Sequence, residues 1–135
     1  MQMVIDFPGG ARVDAHFDGL TVPTDQPYPA GGNSAPSPFA TFLASIGTCA
    51  GIYVIGFCQQ RRIPTQGIRI IQTMENDRET GMVTKITLEI EVPPDFPDKY
   101  KPTLVRVAEQ CKVKKTLEHP PIFEVKTVVA GSPSN

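Results

Sequence analysis

The stretch Pro36-Ser37-Pro38-Phe39-Ala40-Thr41-Phe42-Leu43-Ala44-Ser45-Ile46-Gly47-Thr48-Cys49-Ala50-Gly51-Ile52-Tyr53-Val54-Ile55-Gly56-Phe57-Cys58-Gln59-Gln60 decides the fold. No charged side chain occurs between Asp25 and Arg61. Ser37 before Pro38 reads as a helix start: Ser caps, and Pro at the first helical position has no amide hydrogen to lose. From Phe39 to Phe57 the apolar residues lie all round the helix rather than along one stripe. Such a helix is either inside a membrane or wrapped by protein. Cys49 sits mid-helix between Gly47 and Gly51, where little side-chain bulk surrounds the thiol.

An uncharged run of about twenty residues is long enough to span a bilayer. Ser37, Thr41, Ser45, Thr48 and Gln59 interrupt it, however, and no aromatic belt or lysine cluster flanks its start. The opening residues MQMVIDFPGG carry no positive n-region. The expectation is a soluble, cytoplasmic chain with no membrane partner. The 135 residues suit one domain, 1–135, with 131–135 a frayed tail. Thirteen basic against fourteen acidic residues give a net charge of −1, which excludes nucleic acid as an obvious partner. Three cysteines, an odd number, argue against a structural disulfide framework and for free thiols.

Before the central helix, Met3–Phe7 and Ala11–Phe17 read as strands around Pro8-Gly9-Gly10. Asp18-Gly19 is a hairpin turn into a third strand, Leu20–Val22. Residues 23–37 hold four prolines and form an irregular loop. After the helix, Ile68–Met74 and Val83–Val92 flank a polar hairpin loop at 76–81. Ile86, Leu88, Ile90 and Val92 alternate with polar residues, as on an antiparallel sheet with one wet face. Pro93–Pro97 breaks the strand. A second helix begins at Lys99 or Pro102, with Leu104, Val107, Ala108 and Cys111 on one face at helical spacing. Lys112 to Glu118 extend it by a turn or two, His119-Pro120-Pro121 ends it, and Ile122–Val129 reads as a last strand.

Cys58 lies nine residues from Cys49, half a turn out of phase, and reads as a small apolar core residue. His16 and His119 have no companions at metal-ligand spacing, so no metal is expected. Phosphate loops, serine elbows and dinucleotide fingerprints are absent, and no cofactor is expected.

APSPFATFLASIGTC running into AGIYVIGF, then a strand pair, then AEQCKVKKTLE, together resemble the OsmC/Ohr family over essentially the whole chain. The resemblance implies an α/β (α+β) fold: antiparallel sheets wrapped around two long central helices of an intertwined homodimer. It also implies that Gly47 and Gly51 are close-approach positions. In the family's organic hydroperoxide reductases, a cysteine matching Cys49 attacks the peroxide and becomes a sulfenic acid. One matching Cys111 condenses with it to a disulfide, and a dithiol reductant, a lipoyl protein in one branch, reopens it. The expected catalytic residues are therefore Cys49, Cys111 and Arg12.

A buried thiol ionises only where something compensates its desolvation. Cys49 is about three turns into its helix, too far for the dipole to help. Arg12, the only arginine before the helix, is the family-like source of positive charge. The family's glutamate in the first turns of the central helix is missing: Phe39-Ala40-Thr41 occupies that stretch, and no acid lies between Asp25 and Glu75. The sequence places the chain in a divergent branch, with Asp14 or Asp25 as possible stand-ins. Two function classes follow: a thiol peroxidase for organic hydroperoxides, or a non-catalytic dimer of the same fold serving as a binding or stress-associated protein.

Overall fold

The computed structural model describes residues 1–131. A 23-residue helix, α1 (Pro38–Gln60), begins as the Ser37-Pro38 pair dictates, with Ser37 Oγ accepting the Ala40 amide at 3.1 Å. Ahead of it, β1 (Val4–Gly9), β2 (Arg12–Phe17) and β3 (Leu20–Val22) form an antiparallel sheet in that order. Asp6 stands opposite Asp14, and His16 opposite both Val4 and Thr21. After α1, β4 (Arg69–Asn76) and β5 (Val83–Glu91) make a two-stranded antiparallel sheet, with Ile70 opposite Ile90 and Met74 opposite Ile86.

The proline-rich loop is ordered around Asp25. Its carboxylate accepts Ser34 Oγ at 2.6 Å, the Ser34 amide at 2.9 Å and the Gln26 amide at 2.8 Å. These donors, the Ser34 hydroxyl foremost, draw the Asp25 pKa down to about 2. Gly31 is required there, because a Cβ would come within 2.6 Å of both Asp25 Oδ1 and the Gln26 carbonyl.

One stripe of α1, comprising Ile46, Ala50, Val54 and Phe57, is buried, as is Cys58. Val54, Phe57 and Cys58 join Phe96 and Leu104 in the core, with Ile70, Ile90 and Tyr100 packed around it. Phe96 comes from the Pro93–Pro97 break and is held by its amide to the Pro93 carbonyl at 3.0 Å. Cys58 is thus a core residue, and burial pushes its thiol pKa up against the pull of Arg61.

Two features differ from the sequence reading. The second helix is interrupted: a 3₁₀ turn (Asp98–Tyr100) leads into α2 (Lys101–Ala108), and α3 (Lys112–Glu118) starts afresh after Cys111. The apolar spacing continues across the break, so periodicity alone cannot reveal it. Ile122–Val129 is not a paired strand but exposed chain, with Ile122 98% exposed. Its residues have strand propensity, but no strand of the chain pairs with them. Within the chain, the neighbours of Gly47 and Gly51 come from β4: a Cβ at 47 would lie 2.5 Å from Gln72 Oε1, and one at 51 would touch Ile70. Gln72 uses that space to donate to the Leu43 carbonyl at 2.9 Å. Of the expected tail, residues 132–135 lie outside the described residues.

Candidate active site

Cys49 lies on α1 one turn beyond Ile46, and Cys111 lies where α3 begins. Glu109 and Gln110 close the end of α2 through amides to Val105 and Val107, and the chain then turns so that Cys111 is the first-turn cap of α3. Its sulfur accepts the Lys114 amide at 3.4 Å and contacts the Ile46 carbonyl at 3.9 Å. The buried Cys111 is thereby pinned against the α1 turn that carries Cys49, which is itself partly exposed.

The two thiols differ electrostatically. Burial pushes the Cys49 thiol up, but the Val113 amide, the Cys111 thiol, and the amide and charge of Lys112 together outweigh it. The result is a Cys49 pKa below that of an ordinary thiol. Lys112 and Val113 are the opening residues of α3, whose amides have no carbonyl partner within the helix. Their amides favour the Cys49 anion, and the helix that supplies them is not the one carrying Cys49. Cys111 moves the other way: burial comes first, opposed by the Lys114 amide and reinforced by the neighbouring Cys49. Of the pair, the more exposed sulfur is the better anion, and the buried one keeps its proton.

Arg12, on β2, bonds Asp14 Oδ2 through Nη2 at 3.0 Å. It is not among the groups that act on Cys49, and no extensive packing joins β1–β3 to α1 within the chain. Of the two possible stand-ins for the missing glutamate, Asp14 pairs with Arg12, whereas Asp25 is committed to the loop. The structure therefore brings Cys49 and Cys111 together and leaves Arg12 apart on its own sheet. The amides of Lys112 and Val113 were missed by sequence reasoning. The signal available was Cys111 directly before a lysine-rich helix turn, in AEQCKVKK.

A cavity of about 480 Å³ adjoins this corner, lined by Ile46, Ile86, Leu88, Leu104, Lys114 and Leu117 among others. That volume lies within the range of small-molecule sites, and the walls are mostly apolar.

A long central helix bearing Cys49, a further cysteine, Cys111, packed against it and two small antiparallel sheets define a class of α+β thiol proteins. The OsmC-like protein family model matches residues 31–126, and the chain belongs to that family. Solved structures agree on the fold. A proposed osmotic stress induced and detoxification response protein from Psychrobacter arcticus 273-4 superposes with a TM-score of 0.71 at 20% identity, covering 86% of this chain and 87% of that one. An OsmC-like protein from Mycoplasma pneumoniae gives 0.68 at 14% identity, covering 88% and 87%. The organic hydroperoxide resistance protein OhrB of Bacillus subtilis gives 0.51 at 18% identity, covering 89% and 93%. No curated protein matches the chain by sequence. α1 is long and apolar enough to cross a membrane by length and composition, and in this fold it packs against β4, α2 and α3.

Proposed function

We propose that the chain is a cytoplasmic thiol peroxidase that reduces organic hydroperoxides as a homodimer, with Cys49 the nucleophile and Cys111 the resolving thiol. The observation that carries this reading is the placement of two free thiols: Cys111, buried at the start of α3, is pinned against the α1 turn that bears the partly exposed Cys49. The opposite directions of their pKa shifts agree with it. The Cys49 thiolate attacks the terminal peroxide oxygen; the O–O bond breaks and the alkoxide leaves, taking a proton to become the alcohol. Cys49 is then a sulfenic acid. Cys111 displaces its hydroxyl, which departs as water with the Cys111 proton, and a disulfide forms. An external dithiol, of which a lipoyl protein is one example, is oxidised to its own disulfide and restores both thiols. The apolar cavity beside Cys111 suits the organic part of the peroxide.

A dimer is supported by what one chain leaves uncovered. Val4, Ile5 and Phe7 of β1, Phe39, Ile52 and Ile55 of α1, and Ile122, Phe123 and Val125 are all exposed. That is more apolar surface than a soluble monomer ordinarily shows. A second copy would cover the open side of α1 and pair the 122–129 segment. Dimerisation is also the route by which Arg12, remote from Cys49 of its own chain, would reach a thiol.

The rival reading, a non-catalytic dimer, draws on the missing helix acid and on Arg12 being engaged by Asp14. Counting thiols before and after one equivalent of cumene hydroperoxide separates the two. The peroxidase reading requires loss of Cys49 and Cys111 with Cys58 retained. Three thiols surviving would eliminate it.

A further inference from the structure

Cys111 has a second duty besides its place next to Cys49: it holds the start of α3. That helix has seven residues, none of them fully buried. A helix so short does not sustain itself in water. Lys112 and Lys115 are like charges one turn apart, and the exposed Lys114–Glu118 pair at 3.7 Å offsets little of their repulsion. The first turn is fixed by the Cys111 sulfur, which accepts the Lys114 amide at 3.4 Å, and by the Lys115 amide on the Cys111 carbonyl at 3.0 Å. Elements held by so few contacts lie at the low end of local stability.

α3 is also a wall. Lys114 and Leu117 close one side of the cavity of about 480 Å³, whose other sides include Ile46 of α1, Ile86 and Leu88 of β5 and Leu104 of α2. In the thiol form the contacts of Cys111 are compatible: S–H faces the Ile46 carbonyl at 3.9 Å while a lone pair takes the Lys114 amide. A bond to Cys49 puts sulfur where that hydrogen was. The donor to Ile46 is gone, and the place of the Cys111 sulfur is then dictated by α1 rather than by the amide it caps.

We propose that α3 is a redox-controlled wall of this cavity: forming the Cys49–Cys111 disulfide takes the cap sulfur from the Lys114 amide, and the helix loosens from its first turn. The inference rests on the thiol pairing of the peroxidase reading. Its consequence is an order of events. The wall is firm while reduced Cys49 awaits substrate, and it yields once the alcohol has to leave and a dithiol has to reach the disulfide. Reduction restores the cap.

The test is hydrogen exchange of the full chain, read by mass over residues 112–118. Diamide makes the disulfide without any peroxide, since it accepts both thiol hydrogens and becomes the hydrazine; the linked Cys49–Cys111 peptide confirms the bond. Exchange over α3 should be about five-fold faster in the oxidised than in the reduced protein, the scale of a lost helix cap, with α2 unchanged. Cys111→Ala, with neither cap nor disulfide, should show the fast rate without oxidant. Cys111→Ser, with a cap and no disulfide, should keep the slow rate with or without diamide. Equal exchange in reduced and cross-linked protein, or a Cys111→Ala protein that exchanges like the parent, would overturn the coupling and leave the peroxidase reading standing. Failure of diamide to link Cys49 to Cys111 would overturn both.

Discussion

Lys112→Pro tests whether the opening amides of α3 hold the Cys49 thiolate. The site tolerates proline on structural grounds. Lys112 is the first residue of α3, the position where proline is favoured. Cys111 before it has ψ 123°, outside the helical region and within the range that proline imposes on its predecessor. The Lys112 carbonyl, which accepts Thr116 Oγ1 at 2.8 Å, is kept. What disappears is one amide and one ammonium acting on Cys49. A hydrogen bond to a charged group is worth about 1.5–3 kcal/mol when dry. Cys49 is partly exposed, so solvent screening reduces this to roughly 1 kcal/mol.

That energy corresponds to about a five-fold smaller thiolate-to-thiol ratio below the pKa. The less acidic thiolate is intrinsically about two-fold more nucleophilic, so the net loss in alkylation rate is about two- to three-fold. Above the pKa of both proteins the difference should vanish or reverse slightly. The assay is iodoacetamide labelling of Cys49 against pH, resolved by peptide mass, with Lys112→Met separating the charge from the amide. A folded Lys112→Pro protein whose profile superimposes on that of the parent would refute the reasoning.

Cys111→Ser should leave α3 intact, since serine is a strong cap, while Cys49 sulfenic acid accumulates and reacts with dimedone; a disulfide still forming through Cys58 would refute the pairing. If the proposed dimer delivers Arg12, Arg12→Ala should lower peroxide consumption and Cys49→Ser abolish it, both measured with cumene hydroperoxide at fixed dithiol. Asp25, with a folded pKa of about 2 against roughly 3.9 when unfolded, adds stability that is complete above pH ~4 and lost as pH falls towards ~2. Asp25→Asn should therefore flatten the acid limb of an unfolding-midpoint-versus-pH plot, and an unchanged limb would exclude this carboxylate as its source. Leu104→Ala, at a core position 2% exposed, should cost about 2–5 kcal/mol in urea unfolding.

The sequence was most legible where one local rule governs. Ser37-Pro38 fixed the start of α1, and alternation from Ile86 to Val92 fixed β5, because each signal lies within a few residues of what it specifies. The break between α2 and α3 was hidden: cysteine is not a usual capping residue, and Leu104, Val107, Ala108 and Cys111 keep helical spacing across it. Gly47 was read as a close-approach position, but its occupant, Gln72, stands twenty-five positions on, which no local pattern announces. The same applies to Asp6 with Asp14 and His16, neighbours through register rather than spacing. The two cysteines came from resemblance, and the amides around Cys49 emerged only in three dimensions.

Position 111 answers to three requirements that favour different residues. Starting α3 there needs a side chain that accepts the Lys114 amide, which serine, aspartate or asparagine would do at least as well. Making an S–S bond with Cys49 needs sulfur, and a buried place against Ile46 favours a side chain of low polarity. Alanine would satisfy only the last of these, serine only the first, and aspartate would bring an uncompensated charge. Cysteine alone meets all three, so the permitted alphabet at 111 shrinks to one letter if the disulfide chemistry is in use. Drift to serine at 111 among near relatives would therefore mark loss of resolution without loss of fold.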